Sequence, residues 1–104
     1  MAKKEEVKQY SIGRYAFDSV MQTLIFEGET ETLSHRESEI LKRLCKNRND
    51  ILDNRSLLLE LWGDDDFFNT RSLHVFIVKL KKKLAKDPAI KIVNIRGVGY
   101  KLVY

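Results

Sequence analysis

Residues 71–86 read RSLHVFIVKLKKKLAK, and this stretch carries two patterns that belong to a single helix. At about 100° of rotation per residue, its bulky apolar side chains fall in one narrow stripe. The stripe consists of Leu73, Ile77, Leu80 and Leu84, with Phe76 at its edge. We therefore predict a helix over about 70–85 that packs this stripe on a core. Asn69 or Thr70 is expected to cap it, and Asp87-Pro88 to close it.

The opposite face of this helix mixes cations with small apolar residues. It carries Arg71, Val75, Val78, Lys79, Lys82 and Lys86, with Ser72 to one side. In a DNA major groove, cations meet phosphates or guanine edges, and small apolar groups meet thymine methyls. The mixture favours a helix that binds duplex DNA; the alternative is a basic helix that is merely solvated.

A β-hairpin is predicted directly after this helix. Residues 90–95 alternate between apolar and polar side chains, residues 97–99 form a turn with two glycines, and residues 100–104 return. We expect positive φ at Gly97 and Gly99. Arg96 lies beside the turn, where a lone arginine is usually solvated. After a helix-turn-helix, however, such a hairpin is a wing, whose arginine can enter a narrow minor groove.

The first half of the chain predicts a small antiparallel sheet followed by two helices. Short segments rich in β-branched and aromatic residues lie at 10–12, 15–18, 23–26 and 30–33, with turn signals between them. Residues 34–37 have the form of a capping box that opens a helix to about Asn47. Ile51-Leu52 allows at most a short extended bridge. Asp53 is then placed to cap a second helix that runs through Trp62 and ends at Gly63.

Length and composition restrict the classes of protein. The 104 residues are 43% hydrophobic and 33% charged, which suits one domain and leaves no room for a second. We assign residues 10–104 to that domain and the polar residues 1–9 to a linker or an appended remnant. The sequence contains no apolar run of membrane-spanning length and no secretory signal, and Cys45 fits a small core residue. A cytoplasmic location is expected.

The charges are sorted along the chain. Residues 1–70 hold 10 lysines and arginines against 14 acidic residues, whereas residues 71–104 hold 9 against the single Asp87. The basic final third indicates a polyanionic partner, either nucleic acid, an acidic protein or an anionic lipid surface. RNA is disfavoured because aromatic side chains that could stack on unpaired bases do not cluster on the basic face.

Catalysis, metal binding and a cofactor are not expected. Asp64, Asp65 and Asp66 are adjacent carboxylates on a loop, and nothing completes a coordination shell around them. His35 and His74 lack a second ligand at metal spacing. The sequence contains no convincing nucleophile arrangement and no glycine-rich phosphate loop.

Residues 10–104 resemble the C-terminal effector domain of OmpR/PhoB-type two-component response regulators. The segments that carry the resemblance are Leu33-Ser34-His35-Arg36-Glu37, Leu57-Leu58 with Trp62-Gly63, Arg71-Ser72-Leu73 with Val75-Phe76-Ile77 and Lys79-Leu80-Lys81, and Ile95-Arg96-Gly97-Val98-Gly99-Tyr100. The last one matches the family's wing signature. The resemblance implies an α+β fold, a winged helix-turn-helix with an N-terminal four-stranded antiparallel sheet, three helices and a C-terminal β-hairpin wing.

By this resemblance, the chain binds double-stranded DNA sequence-specifically as the output domain of a two-component transcriptional regulator. The third helix lies in the major groove and the wing, residues 95–100, in the minor groove. Lys79 takes the main base-reading position. The other implied contacts are Ser72, His74, Val75 and Val78 near bases or backbone, Arg71, Trp62 and Tyr100 at phosphates, and Asn94 and Arg96 on the wing; Lys82 is placed nearer the backbone.

The chain departs from the family's pattern on the third helix. Phe76 stands where many members have a His or Tyr that bonds a phosphate. Val78 and Lys79 stand where paired arginines are common, and lysine lacks the planar bidentate fork of arginine. The base preference of those members therefore does not carry over.

The resemblance also implies protein partners. In the family, the loop before the third helix touches RNA polymerase; here it contains Asp64, Asp65, Asp66 and Phe67. The alternative is that Phe67 and Phe68 anchor this loop on the core. A phosphoacceptor receiver domain is expected before residue 1, and its phosphorylation would pair two effector domains on DNA. The isolated domain is then expected to be monomeric.

A function of a different class remains open. Winged helices also serve as protein-interaction modules, and this one could bind an acidic partner through its basic face. Exposed valines among lysines, followed at once by Arg96, favour DNA.

Overall fold

A computed structural model describes residues 8–64 and 66–104 of the chain. Within them, two antiparallel sheets enclose a core together with helices. The elements are β1 Gln9–Ile12, β2 Tyr15–Asp18, β3 Thr23–Phe26, β4 Glu29–Thr32, α1 His35–Lys46, β5 Leu52–Asp53, α2 Asn54–Leu61, α3 Phe67–Lys83, β6 Lys91–Ile95 and β7 Gly99–Val103. The α+β winged-helix prediction is confirmed, with α2 and α3 as the helix-turn-helix and β6–β7 as the wing.

The N-terminal sheet pairs its strands in sequential order, β1-β2-β3-β4. Alternation along β1 to β3 buries one face, so that residues such as Ile12, Phe17 and Leu24 join the same core as the helices. Strand β4 is an edge strand with all four residues exposed. The sheet begins at Gln9, one residue before the predicted start. Of the linker assigned to residues 1–9, residues 1–7 lie outside the described residues.

Helices α1 and α2 begin where the sequence predicts. The Ser34 hydroxyl accepts the Glu37 N–H at 3.1 Å, and the Glu37 carboxylate accepts the Ser34 N–H at 2.8 Å, which completes the capping box. The Asp53 carboxylate accepts the Ser56 N–H at 3.0 Å and caps α2. Gly63 follows α2 with φ at 77°. Each cap satisfies backbone donors that a helix leaves unpaired in its first turn.

The predicted cap of α3 is wrong. Asp66, not Asn69 or Thr70, is the N-cap: its carboxylate accepts the Asn69 N–H at 2.9 Å, and the helix begins at Phe67 and ends at Lys83. The Thr70 hydroxyl donates back to the Asp66 carbonyl at 2.9 Å, so Thr70 lies inside the first turn. A carboxylate is favoured at this end because the helix N-terminus carries partial positive charge.

The apolar stripe of α3 is confirmed as core. Leu73, Ile77, Leu80 and Leu84 are all buried, and Phe76 is half-buried against the same cluster. Cys45 also packs on this cluster, as expected for a small core residue, but it is half-buried and not fully enclosed. Burial raises the pKa of its thiol to about 12.

The wing belongs to a second sheet of order β5-β7-β6. The short bridge β5 pairs with β7, with Leu52 opposite Tyr100 and Asp53 opposite Gly99. Gly97 has φ at 75°, as predicted. The prediction of a positive φ at Gly99 is wrong. Gly99 is a strand residue, and a Cβ there would overlap the Leu52 carbonyl oxygen and approach its carbon to 2.8 Å.

The end of α3 is attached to the N-terminal sheet through Asp87. This buried carboxylate accepts the Arg14 N–H at 2.8 Å and the Ala89 N–H at 3.0 Å, and these bonds hold its pKa below the ordinary value. The Lys86 N–H donates to the Tyr15 hydroxyl at 3.1 Å. The sheet therefore fixes the position of α3 from its C-terminal end.

Among the described residues, no helix is both long enough and apolar enough to cross a membrane.

Candidate nucleic-acid interface

The outer face of α3 presents the mixture of cations and valines that the sequence predicts. Arg71, His74, Val75, Val78, Lys79 and Lys82 are exposed, and Ser72 is half-buried. Val75 and Val78 leave 50% and 36% of their surface to solvent. Single exposed apolar residues are ordinary on protein surfaces, but Val75 and Val78 are three residues apart on one helix and therefore lie side by side among the cations. The face therefore combines charges for phosphates with methyl groups for a partner surface.

Lys79 lies on an aromatic support. Its ammonium is 5.4 Å from the centroid of the Phe76 ring, and that ring is 6.1 Å from the ring of Trp62. The Trp62 ring in turn carries the Arg36 guanidinium at 4.0 Å. Cation–π contacts at these distances restrict the two cationic side chains. The row Arg36–Trp62–Phe76–Lys79 links α1, the end of α2 and α3 at one edge of the interface.

Arg36 is a candidate site residue that the sequence analysis did not select. It is half-buried at the start of α1, where a cation next to the helix N-terminus is electrostatically disfavoured. Its position over Trp62 explains how it is held there. The available signal was its place inside the conspicuous capping box, two residues after Ser34.

Two lysines of the basic third are engaged within the chain. Lys83 forms an ion pair with Glu37 at 2.9 Å, and Glu37 is only 3% exposed. Burial alone would raise the pKa of Glu37, but the hydrogen bonds from Lys83 and Ser34 hold it below the ordinary value. Lys86 pairs with Glu29 at 3.2 Å, and both side chains are exposed. Lys86 is exposed, but it lies three residues after the end of α3 and not on the helix as predicted, and it has a carboxylate partner.

The wing tip is attached at both sides. The Val98 N–H donates to the Ile95 carbonyl at 2.9 Å and closes the turn, while the Asn54 N–H donates to the Val98 carbonyl at 2.9 Å and joins the tip to α2. Arg96 and Asn94 are exposed. Tyr100 is 5% exposed and part of the core, and burial raises the pKa of its hydroxyl.

The loop between α2 and α3 is described at Asp64 and from Asp66 onward. Asp64 and Asp66 are exposed, and Asp66 serves as the α3 cap. Asp65 and the side chain of Phe67 lie outside the described part of the structure. Phe68 is 76% exposed, so it does not anchor the loop in the core. In the described ranges, no group of three or more His, Cys, Asp or Glu residues could hold a metal ion.

Comparison with known proteins identifies the family of this arrangement. Residues 28–102 match the sequence model described as "Transcriptional regulatory protein, C terminal". The transcriptional regulatory protein RprY of Bacteroides fragilis is 43% identical over 101 residues, which are 97% of this chain and 43% of RprY. The chain thus spans less than half the length of this relative.

Two solved structures share the fold. The RstA DNA-binding domain of Klebsiella pneumoniae, solved in complex with the RstA box, has a TM-score of 0.76 and 31% identity, covering 93% of this chain and 98% of that one. The response regulator DrrB of Thermotoga maritima, an OmpR/PhoB homologue, has a TM-score of 0.77 and 27% identity over 93% of this chain and 45% of DrrB. The chain belongs to the family of C-terminal domains of transcriptional regulatory proteins, the winged-helix DNA-binding output domains of OmpR/PhoB-type response regulators.

Proposed function

We propose that this chain binds double-stranded DNA sequence-specifically as the output domain of a two-component transcriptional regulator, with α3 in the major groove and the wing in the minor groove. The observation that carries the proposal is the outer face of α3, where Val75 and Val78 are exposed among cations. The RstA domain, which was solved with its DNA box, supports it by similarity in sequence and fold.

The residue roles are those that the resemblance implies, and apart from the buried Tyr100 the residues are at least partly exposed. Lys79, supported by Phe76, reads a base edge, and Arg96 enters the minor groove from the wing tip. Ser72, His74, Val75 and Val78 lie near bases or backbone, Arg71, Lys82, Trp62 and Tyr100 face phosphates, and Asn94 makes a second wing contact.

The loop of Asp64, Asp65, Asp66 and Phe67 is proposed to contact RNA polymerase. The exposure of Asp64 and of the neighbouring Phe68 supports this role, because exposed acidic and aromatic side chains are accessible to a protein partner.

In the whole protein, a receiver domain is proposed to precede residue 1, in accord with the greater length of RprY. Its phosphorylation pairs two output domains on adjacent half-sites, which raises their effective concentration. The isolated domain is then a monomer that binds weakly, in the cytoplasm.

Fluorescence anisotropy over a salt series tests the proposal with duplex DNA, single-stranded RNA and a polyanionic peptide as probes. Residues 71–104 contain nine cations, of which Lys83 and Lys86 are paired internally. With about five to seven cations at phosphates, log K should fall with log[salt] at a slope of about −4.5 to −6. A flat response on duplex DNA would overturn the DNA proposal. Stronger binding of the peptide than of any duplex would favour the acidic-partner function.

A further inference from the structure

A groove of about 580 Å³ separates β4 from the C-terminal half of α3, and its two walls carry opposite charge. The β4 wall presents Glu29, Thr30 and Glu31. The α3 wall presents Lys79, Lys82, Lys83 and Lys86, and the apolar floor consists of Tyr15, Leu24 and Phe26. The edge of the N-terminal sheet thus places carboxylates beside the lysines of the DNA-binding helix.

The lysines of this groove are restrained to different degrees. Lys83 pairs with the buried Glu37 and also donates to the Thr32 carbonyl at 3.4 Å, so it is part of the fold. Lys86 pairs at 3.2 Å with Glu29, and both side chains are largely exposed. Glu29 and, more weakly, Glu31 raise the pKa of Lys86. An exposed pair of this kind contributes little to stability, so Glu29 weakens a contact between Lys86 and a phosphate without abolishing it.

The carboxylates matter because charge and base reading are separated along α3. Val75, Val78 and Lys79 lie toward the middle of the helix, whereas Lys82 lies in its last turn and Lys86 three residues beyond its end. Cations that meet only phosphates strengthen binding to every sequence alike. A contact that strengthens binding to every sequence alike raises the total affinity without adding specificity, so carboxylates that oppose it lower the affinity for random DNA and leave the base contacts as a larger share of the binding energy.

We propose that Glu29 and Glu31 limit the sequence-independent affinity of this domain for DNA, because they oppose contacts between Lys86 and the DNA backbone and so lower the affinity for random DNA. The proposal rests on the proposed function, since it requires α3 to lie against DNA. Glu29 acts by holding the Lys86 ammonium, and Glu31 by repelling phosphates that approach the same groove.

Glu27 provides a matched control on the same hairpin. It pairs with Arg14 at 3.6 Å and does not line the groove. A second exposed carboxylate, Asp50, which follows α1, also lies outside the groove lining. E27Q/D50N therefore removes as many negative charges as E29Q/E31Q does, namely two, without releasing a lysine of the groove.

The experiment measures binding to a random-sequence duplex between about 50 and 200 mM salt. E29Q/E31Q should steepen the salt slope by about 0.9 for each added phosphate contact. Between about 50 and 200 mM salt, its affinity should therefore fall by a factor about 3-fold to 4-fold larger than that of the wild type. E27Q/D50N should leave the slope at the wild-type value. In a K86Q background, E29Q should have no further effect on the slope, because the lysine that it releases is gone.

The outcomes separate this inference from the proposed function. Equal slopes for E29Q/E31Q and E27Q/D50N would overturn the inference, as would an E29Q effect that persists in K86Q. Wild-type protein that shows no salt-dependent binding to duplex DNA would instead overturn the proposed function. Circular dichroism of each variant verifies that the fold is retained, as expected for exposed carboxylates.

Discussion

Replacing Glu37 by glutamine is expected to lower the free energy of unfolding by about 2 kcal/mol at neutral pH. One carboxylate oxygen of Glu37 accepts both the Ser34 N–H at 2.8 Å and the Lys83 ammonium at 2.9 Å. This residue therefore closes the capping box of α1 and ties α1 to the end of α3. Glutamine keeps an oxygen for the cap but loses the negative charge.

The magnitude follows from the burial of the pair. A hydrogen bond to a charged group contributes about 1.5–3 kcal/mol. Breaking a fully buried pair costs about 3–5 kcal/mol, but Lys83 retains 22% of its side-chain exposure and can turn toward water. E37A also loses the cap, which adds about 1 kcal/mol. The matched control E39Q removes a more exposed carboxylate that pairs with Arg43 and should cost only about 0.5 kcal/mol.

Chemical denaturation at several pH values measures this contribution. Because the folded-state pKa of Glu37 is lowered, its stabilisation is present above the unfolded-state pKa and is lost as the pH falls through the folded-state pKa. The difference between wild type and E37Q should therefore shrink from about pH 6 to about pH 3.

A double-mutant cycle with K83M isolates the pair. The coupling energy between the two positions should be about 1–2 kcal/mol. Additive effects of E37Q and K83M, or a wild-type to E37Q difference that is independent of pH, would refute the assignment of the stability to this ion pair.

Four further substitutions test the interface and the wing. Lys79→Ala should cost about 1–3 kcal/mol of binding free energy on a selected duplex and relax the base preference at one position of the site. Lys82→Ala should weaken binding to all sequences alike and reduce the salt slope by about one unit. Equal losses on selected and random DNA for both variants would contradict the base contact of Lys79. Arg96→Ala should leave the melting temperature unchanged and weaken binding by about 1–2 kcal/mol. The loss should be larger on a probe with an A·T tract beside the site than on one with G·C there. If the variant binds the A·T probe as tightly as the wild type does, the wing does not contact DNA. Gly99→Ala should lower the free energy of unfolding by about 1–3 kcal/mol because its Cβ meets the Leu52 carbonyl, and a loss below about 0.5 kcal/mol in urea denaturation would contradict that contact.

The features that the sequence predicted correctly depend on residues close together in the chain. The capping box joins Ser34 to Glu37, the Asp53 cap reaches Ser56, and the stripe of α3 repeats at three and four residues. These interactions are formed within one or two helical turns, so residue type and spacing suffice to predict them. The α3 cap failed because three polar residues competed for one role and Asp66 had the favourable charge.

The resemblance to a family supplied the roles of Lys79, Arg96 and the loop before α3, and the comparisons confirmed the family and the fold. The row from Arg36 through Trp62 and Phe76 to Lys79 could not be read from spacing, because its members belong to three different helices or their ends. A contact between elements depends on how the elements pack, which no local pattern records.

Residue type and spacing alone were enough to specify the strands, the helices, the buried stripe and the basic final third of this protein. Packing settled the rest, because it joins residues that are far apart in sequence. The bridge at Leu52 is a strand of the wing sheet. Its backbone passes so close to Gly99 that a Cβ at this position would overlap the Leu52 carbonyl. Packing also pairs Lys83 with Glu37, and Lys86, just after α3, with Glu29 of strand β4. The other lysines of α3 face outward. Only the folded chain brings these carboxylates beside the basic segment.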